Sequence, residues 1–193
     1  MGTPPNVVLV VLDTVRSDRV YGYDRETMPN FERFAADATT FTDAVTQGSW
    51  SVPAHASLFT GTYPAEHGAT TLRPVFRGEG SLPELLAEAG YETCAVSPNH
   101  YVRPGTGFGR GFDTFETLSG VTVPQPIVEV AGPALNRITS SPARNPPERL
   151  LNAIRIRRGT TTDVDPPPAD GLVDRVGELA GAASEPFFLF VNL

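Results

Sequence analysis

The chain contains no lysine, a single cysteine and no long apolar run. One cysteine allows no internal disulfide, and the position of Cys94 in a short apolar run predicts a buried structural thiol. No segment approaches the length of a membrane span, and no basic segment followed by an apolar one opens the chain. We therefore expect a cytoplasmic protein that does not contact a membrane.

Positive charge is also scarce. The 15 basic residues, all arginine, stand against 22 acidic residues, and the net charge is −7. A chain with this balance lacks the general basic surface through which proteins bind nucleic acid. A nucleic-acid partner is therefore not expected.

Strand and helix patterns alternate along the chain. Residues 6–12 and 186–193 are continuous apolar runs, typical of parallel strands buried on both faces. The other patterns predict helices over 29–38, 81–90 and 170–183 and strands over 40–45 and 92–97. Two of the helices have predicted inward faces, made of Phe31, Phe34, Ala35 and Ala38 and of Leu172, Val173, Val176 and Leu179. The alternation predicts an α/β fold, a mostly parallel sheet with helices on both faces.

Prolines interrupt this pattern between residues 120 and 170. We interpret residues 120–170 as a proline-rich variable insertion or linker. A basic cluster inside it, Arg155, Arg157 and Arg158, fits a solvated helix end better than an anion site.

Two positions stand where chemistry is expected. Asp13 directly follows the first predicted strand, and ligands of open α/β sheets collect outside the carboxyl ends of strands. Ser51 precedes a short predicted helix in which Pro53 is the first residue and Gly61 the left-handed cap. A helix N-terminus binds anions such as sulfate or phosphate. The alternatives are a loop aspartate and an ordinary capping serine.

The residues around Ser51 carry a family resemblance. Residues 51–55 read Ser-Val-Pro-Ala-His and residues 56–61 read Ala-Ser-Leu-Phe-Thr-Gly. This string resembles the signature of the sulfatase family in the alkaline-phosphatase superfamily, Cys/Ser-x-Pro-x-Arg followed by Ala-Ser-Leu-x-Thr-Gly. The resemblance implies an alkaline-phosphatase-like fold and hydrolysis of sulfate monoesters, with Ser51 as the nucleophile. In sulfatases this residue is oxidised to formylglycine; here His55 replaces the arginine that the maturation machinery recognises.

The same resemblance implies a metal site. Asp13 matches the acid that binds the divalent cation, and Ser51 would share that cation. Calcium is the first expectation, with magnesium, manganese and zinc open. Many sulfatases carry a second Asp next to the first, and this chain has Thr14 there.

A third matching segment follows the strand over 92–97. Ser97-Pro98-Asn99-His100 occupies the place of a Gly-Lys-x-His motif, with Pro98 replacing the lysine. The resemblance implies that Asn99 and His100 bind the ester group and that His55 and His100 serve in catalysis. A solvent-exposed loop histidine is the alternative for His100.

Three functions remain open at this point. The first is a hydrolase of small-molecule sulfate esters, and the second a phosphoester hydrolase or phosphotransferase that uses unmodified Ser51. The third is a non-catalytic fragment, because the resemblance makes residues 1–193 only the N-terminal part of a family domain, apparently truncated before further metal ligands. We expect a chain of this extent to be impaired as an enzyme. The oligomeric state stays open.

Overall fold

The strands of this chain form one parallel sheet. The computed structural model describes residues 4–20, 25–117 and 169–193, together with Gly2. Within these residues lie four strands, which are β1 (Val7–Val11), β2 (Glu92–Val96), β3 (Thr114–Glu116) and β4 (Phe187–Asn192). They are ordered β1-β4-β2-β3, and each neighbouring pair is parallel. The last strand thus lies between the first and the second, and the predicted parallel sheet is confirmed.

Helices cover both faces of this sheet. The helices of the described residues are α1 (Ser17–Val20), α2 (Pro29–Ala36), α3 (Ser51–Thr60), α4 (Pro64–His67), α5 (Leu82–Glu88) and α6 (Ala169–Ala182), with a 3₁₀ turn over Pro104–Thr106. Phe188 and Phe190 of β4 pack on the side of α3, while Leu189 and Val191 pack with Val176 of α6. The alternation along β4 therefore builds a core on each side of the sheet, and the predicted three-layer arrangement is confirmed.

The core under α3 is aromatic. Phe59 meets Phe190 edge to face at 4.9 Å between ring centroids, and it meets Phe108 at 5.8 Å. Gly107 brings the chain back against this cluster with a φ of +94°, and a Cβ there would lie 2.0 Å from the carbonyl oxygen of Phe76. Only glycine meets both demands. The segment around Gly107, which is distant from α3 in the sequence, thus packs against the core side of α3.

The two apolar strand predictions have different outcomes. Every residue of β4 is buried, which confirms a strand covered on both faces. For β1 the prediction is wrong, because Val8 and Val10 are 53% and 51% exposed. The strand lies at the edge of the sheet, and α6 packs on β4 rather than on this outer face of β1.

Three local predictions are also wrong. Residues 40–45 form turns and irregular backbone instead of a strand, and both Phe41 and Val45 are exposed, so their alternation has no layer to pack against. In α2 no residue is buried, and Phe34 of the predicted inward face is exposed. In α6, Leu172 and Leu179 are buried as predicted, but Val173 is exposed.

Cys94 occupies the middle of β2. Its side chain is buried, as predicted, and burial raises the pKa of its thiol to about 11. Residues 120–170, predicted to be an insertion or linker, lie outside the described residues apart from the first turn of α6. Among the helices that are described, none is long and apolar enough to span a membrane.

Candidate active site

The carboxyl ends of β1, β2 and β4 meet at one edge of the sheet. Asp13 follows β1, and its backbone N–H donates to the carbonyl of Leu193 at 2.8 Å, just beyond β4. Leu193 in turn donates to the carbonyl of Val11 at 2.8 Å. Asn99 lies three residues beyond β2. Because all these strands are parallel, their terminal side chains collect in one place, which is where α/β proteins bind ligands.

Helix α3 also begins at this edge of the sheet, beside the ends of the three strands. It begins at Ser51, two residues earlier than predicted, after Trp50 in an extended conformation. The first ladder bond runs from the Ala54 N–H to the Trp50 carbonyl at 3.1 Å. Pro53 has no N–H, so the amides of Ser51 and Val52 are the N-terminal donors outside the helix ladder. The positive end of α3 therefore lies at Ser51, and the predicted cap Gly61 has a φ of 68°.

Three of the predicted site residues come together. The Ser51 hydroxyl donates to Asp13 Oδ2 at 2.9 Å. Asn99 Nδ2 donates to the same oxygen at 2.5 Å and lies 3.3 Å from Ser51 Oγ. The Tyr101 N–H donates to Asn99 Oδ1 at 2.8 Å, which fixes the carboxamide with its NH₂ group toward the carboxylate. The result is a serine hydroxyl held between a carboxylate and an amide donor at a helix N-terminus.

His55 lies on the core side of the same helix. Its side chain is 4% exposed, and its ring meets the edges of Phe108 and Phe190 at 6.3 and 6.1 Å. Nδ1 lies 2.7 Å from the carbonyl oxygen of Ser51, so Nδ1 carries the proton and donates it. Burial lowers the pKa of His55 and keeps the ring neutral. In this position His55 is better placed to hold the first turn of α3 than to transfer a proton, the role predicted from the sequence.

His100 lies apart from the three central residues. It is exposed, and its ring packs against Tyr101 with 5.0 Å between centroids. Among the described residues it forms no hydrogen bond to Asp13, Ser51 or Asn99. Partial burial, followed by the charge of Arg103, lowers the pKa of His100. Its predicted roles in catalysis and substrate binding therefore stay predictions.

A buried amide beside the site was not found from the sequence. Asn192, the last residue of β4, is 0% exposed, and neither Nδ2 nor Oδ1 has a hydrogen-bond partner among the described residues. It lies on the α3 side of the sheet, two residues beyond Phe190. An unpaired buried amide costs about 1–3 kcal/mol. The only sequence signal was a polar residue at the end of an apolar run.

Two neighbouring features have structural explanations. Thr14, directly after Asp13, has a φ of 63°, which turns the chain sharply at the end of β1. Ser57 Oγ lies 3.0 Å from His67 Nε2, but His67 Nδ1 accepts the Ala69 N–H at 3.1 Å. Nε2 therefore carries the proton and cannot take one from the serine. The pair fixes the loop after α3 instead of forming a second nucleophile and base.

Asp13 and Ser51 supply the oxygen atoms that were predicted to bind a divalent cation. Carboxylate and hydroxyl oxygens suit a hard divalent cation, which takes about six or more such ligands. In the described part of the chain, no group of three or more acidic, histidine or cysteine side chains is arranged so that it could hold a metal ion. Asn99 turns its NH₂ group, not its oxygen, toward Asp13. Asp13 and Ser51 thus fit a divalent cation as two of its ligands.

A family model matches nearly the whole chain, and curated relatives match part of it. The family model Sulfatase matches residues 5–193. An N-acetylglucosamine-6-O-sulfatase of Bacteroides thetaiotaomicron is 29% identical over 119 residues, which cover 60% of this chain and 21% of that protein. The chain thus spans about a fifth of the length of this curated relative.

Two solved structures have the same fold. A protein in complex with its substrate D-glucosamine-2-N,6-O-disulfate superposes with a TM-score of 0.63 and 19% identity, over 97% of this chain and 34% of that one. The phosphonate monoester hydrolase of Agrobacterium radiobacter superposes with a TM-score of 0.61 and 19% identity, over 98% and 40%. At this identity the likeness shows the fold, and it confirms the predicted alkaline-phosphatase-like architecture.

Proposed function

Because the chain belongs to the sulfatase family, we propose that it carries the nucleophile of a sulfate monoester hydrolase, at Ser51. One observation supports this most directly. The Ser51 hydroxyl donates to Asp13 Oδ2 at 2.9 Å, at the N-terminus of a ten-residue helix. A carboxylate placed in this way accepts the proton of the attacking oxygen at position 51, whether this is the serine hydroxyl or a hydroxyl of the formylglycine hydrate.

The remaining contacts assign further roles. The backbone N–H groups of Ser51 and Val52 face the position of an ester oxyanion at the helix N-terminus. Asn99, fixed by the Tyr101 N–H, adds a third donor 3.3 Å from Ser51 Oγ. Together these donors hold the ester group against the nucleophile. For a sulfate ester, a hydroxyl of the formylglycine hydrate at position 51 forms the new bond to sulfur as the bond from sulfur to the ester oxygen breaks, and that oxygen leaves with the organic group. The second hydroxyl of the hydrate then loses its proton, which releases sulfate and re-forms the aldehyde, and water restores the hydrate.

A divalent cation belongs to this proposal. Asp13 and Ser51 would hold it, with calcium the first expectation and magnesium, manganese and zinc open. When bound, it would neutralise negative charge on the nucleophile and the ester oxygens. For the organic part of the substrate, support comes from the relatives, which include an N-acetylglucosamine-6-O-sulfatase and a protein solved with a sulfated glucosamine. A small sulfated sugar is therefore the proposed substrate class.

A phosphoester substrate is the second candidate. His55 stands where the maturation signature has arginine, and its side chain is buried in the core. The replacement of that arginine weakens the case for formylglycine at Ser51. An unmodified serine forms a covalent sulfate that has no easy breakdown route, so Ser51 in this form favours phosphoester substrates. One structural neighbour acts on phosphonate monoesters. The third reading, a non-catalytic fragment, predicts no turnover of either ester.

The deciding experiment combines mass and activity on the protein purified from its native host. A peptide containing Ser51 that is lighter by about 2 Da indicates the aldehyde, and hydrolysis of 4-nitrophenyl sulfate over 4-nitrophenyl phosphate then supports the sulfatase. An unmodified peptide with phosphate hydrolysis supports the second candidate. Ser51→Ala should lower either activity by about 100-fold or more, whereas Ser49→Ala, at an exposed neighbouring serine, should not. No metal-dependent turnover of either ester would refute both.

A further inference from the structure

A group of three aromatic side chains, called here the aromatic platform, begins at Trp50, the neighbour of Ser51 in the sequence, and continues through Tyr101 to His100. The Trp50 and Tyr101 rings meet edge to face with 4.8 Å between centroids. The His100 ring packs against the Tyr101 ring with 5.0 Å between centroids. The three rings thus form one continuous surface, of which His100 and Tyr101 are exposed and Trp50 is partly buried.

Two members of the platform, Trp50 and Tyr101, are connected to Ser51. Trp50 precedes Ser51 and is the residue from which α3 starts. The Tyr101 N–H holds Asn99 Oδ1 at 2.8 Å, and the other end of that carboxamide lies 3.3 Å from Ser51 Oγ. A group attached to an ester at Ser51 therefore has the platform as its neighbour. None of the central hydrogen bonds uses an aromatic side chain, which leaves the rings free for contacts with a ligand.

The platform presents aromatic faces and edges to a ligand rather than fixed charges. Partial burial lowers the pKa of His100, which favours its neutral form. Its base is also fixed, because Trp50 packs against the core beneath α3. Aromatic faces and edges bind flat, weakly polar surfaces, and a fixed aromatic loses little conformational entropy when it does so.

We propose that the aromatic platform is the subsite for the organic group of the ester, and that it selects a ring with an apolar face over an open chain. The proposal rests on the proposed function, because it places the ester group at Ser51. Aryl rings and sugar rings share the required chemistry. A ring on the platform gains contacts along its whole face, whereas a flexible chain must first be ordered.

Trp50 provides the readout, because it is the only tryptophan of the chain. Three stable sulfonates with six carbons each, benzenesulfonate, cyclohexanesulfonate and 1-hexanesulfonate, are titrated while the tryptophan emission is recorded. We expect both ring compounds to bind about five-fold more tightly than the open chain. Preference for benzenesulfonate alone would identify an aryl ester, and equal preference for cyclohexanesulfonate a saturated ring such as a sugar.

The Tyr101→Ala variant should abolish this preference. It removes the ring and keeps the backbone N–H that holds Asn99. The matched control is Tyr63→Ala, at another exposed tyrosine, and it should retain the preference. Equal binding of the three sulfonates, each displaced by inorganic sulfate, would overturn the platform and leave the proposed function standing. Absence of any binding, of inorganic sulfate included, would remove both.

Discussion

Asn99 and Asp13 lie after different strands, and the amide nitrogen of the first is 2.5 Å from Oδ2 of the second. That oxygen also accepts the hydroxyl of Ser51 at 2.9 Å. One carboxylate oxygen of Asp13 therefore holds both the Ser51 hydroxyl and the Asn99 amide. Because the Tyr101 N–H occupies the opposite end of the carboxamide, the donor end of Asn99 cannot turn away without losing that bond.

Replacement of Asn99 by aspartate tests this arrangement. The variant places two carboxylates in contact, and such a pair resists full ionisation. We expect the free energy of unfolding at pH 8 to fall by about 2 kcal/mol, and most of it to return at pH 5, where the pair holds a proton. Urea denaturation at the two pH values measures the effect. Gln47→Glu adds the same charge at an exposed site and should change little; equal losses in both variants would contradict the contact.

The site was predictable wherever a local pattern placed a residue at the end of an element. Asp13 follows an apolar run, Asn99 follows another, and Ser51 stands beside a proline and a glycine-capped helix, so their meeting needed only a parallel sheet. The surroundings of His55 were not predictable, because Phe108 and Phe190 reach it from distant parts of the sequence.

Contacts with distant parts of the sequence also explain why some predictions about the fold were wrong. An apolar run identifies β1 as a strand, but its exposed face depends on the strand order, which places β1 at the sheet edge. The apolar spacing of α2 likewise carries no information on whether a layer packs against Phe34, which is exposed. Asn192 looked like the end of a buried strand, and its lack of partners appears only when all neighbours are in place.

Thr14 offers a test of backbone strain. Its φ of 63° is in the left-handed region, where a β-branched residue is strained and asparagine is tolerated. We expect Thr14→Asn to raise the free energy of unfolding by about 1 kcal/mol. The matched control is Thr40→Asn, at an exposed threonine without a positive φ, and it should not be stabilising. A lower midpoint of thermal unfolding in the Thr14 variant would contradict the assigned strain.

The pKa of His67 predicts a pH dependence of stability. Burial lowers this pKa from its ordinary value of 6.5, with Glu66 opposing the shift. Below pH 6.5 the unfolded chain therefore binds more protons than the folded one, and stability falls with falling pH until the folded pKa is reached. Protonation of Nδ1 also removes the acceptor of the Ala69 N–H.

The measurement compares wild type with His67→Gln by urea denaturation at pH 7.5 and pH 5.5. We expect a smaller loss on acidification in the variant, since one of the histidines with a lowered pKa is gone. The loss that remains reports the other two, His55 and His100, whose pKa values are also lowered. An unchanged difference between the two pH values would show that His67 does not contribute.

Replacement of Asn192 tests whether its buried side-chain amide is unpaired or hydrogen-bonded in the folded protein. Its side chain is fully buried and both polar atoms lack partners among the described residues. Leucine has nearly the same shape and no desolvation cost, so Asn192→Leu should raise the free energy of unfolding by about 1–3 kcal/mol. Asn192→Ala removes the same amide but leaves a cavity, and it should gain less than the leucine variant. A leucine variant less stable than wild type would mean that ordered water or another polar group pairs with the amide in solution. Asn192 would then join Asp13 and Asn99 as a polar contributor at the strand ends.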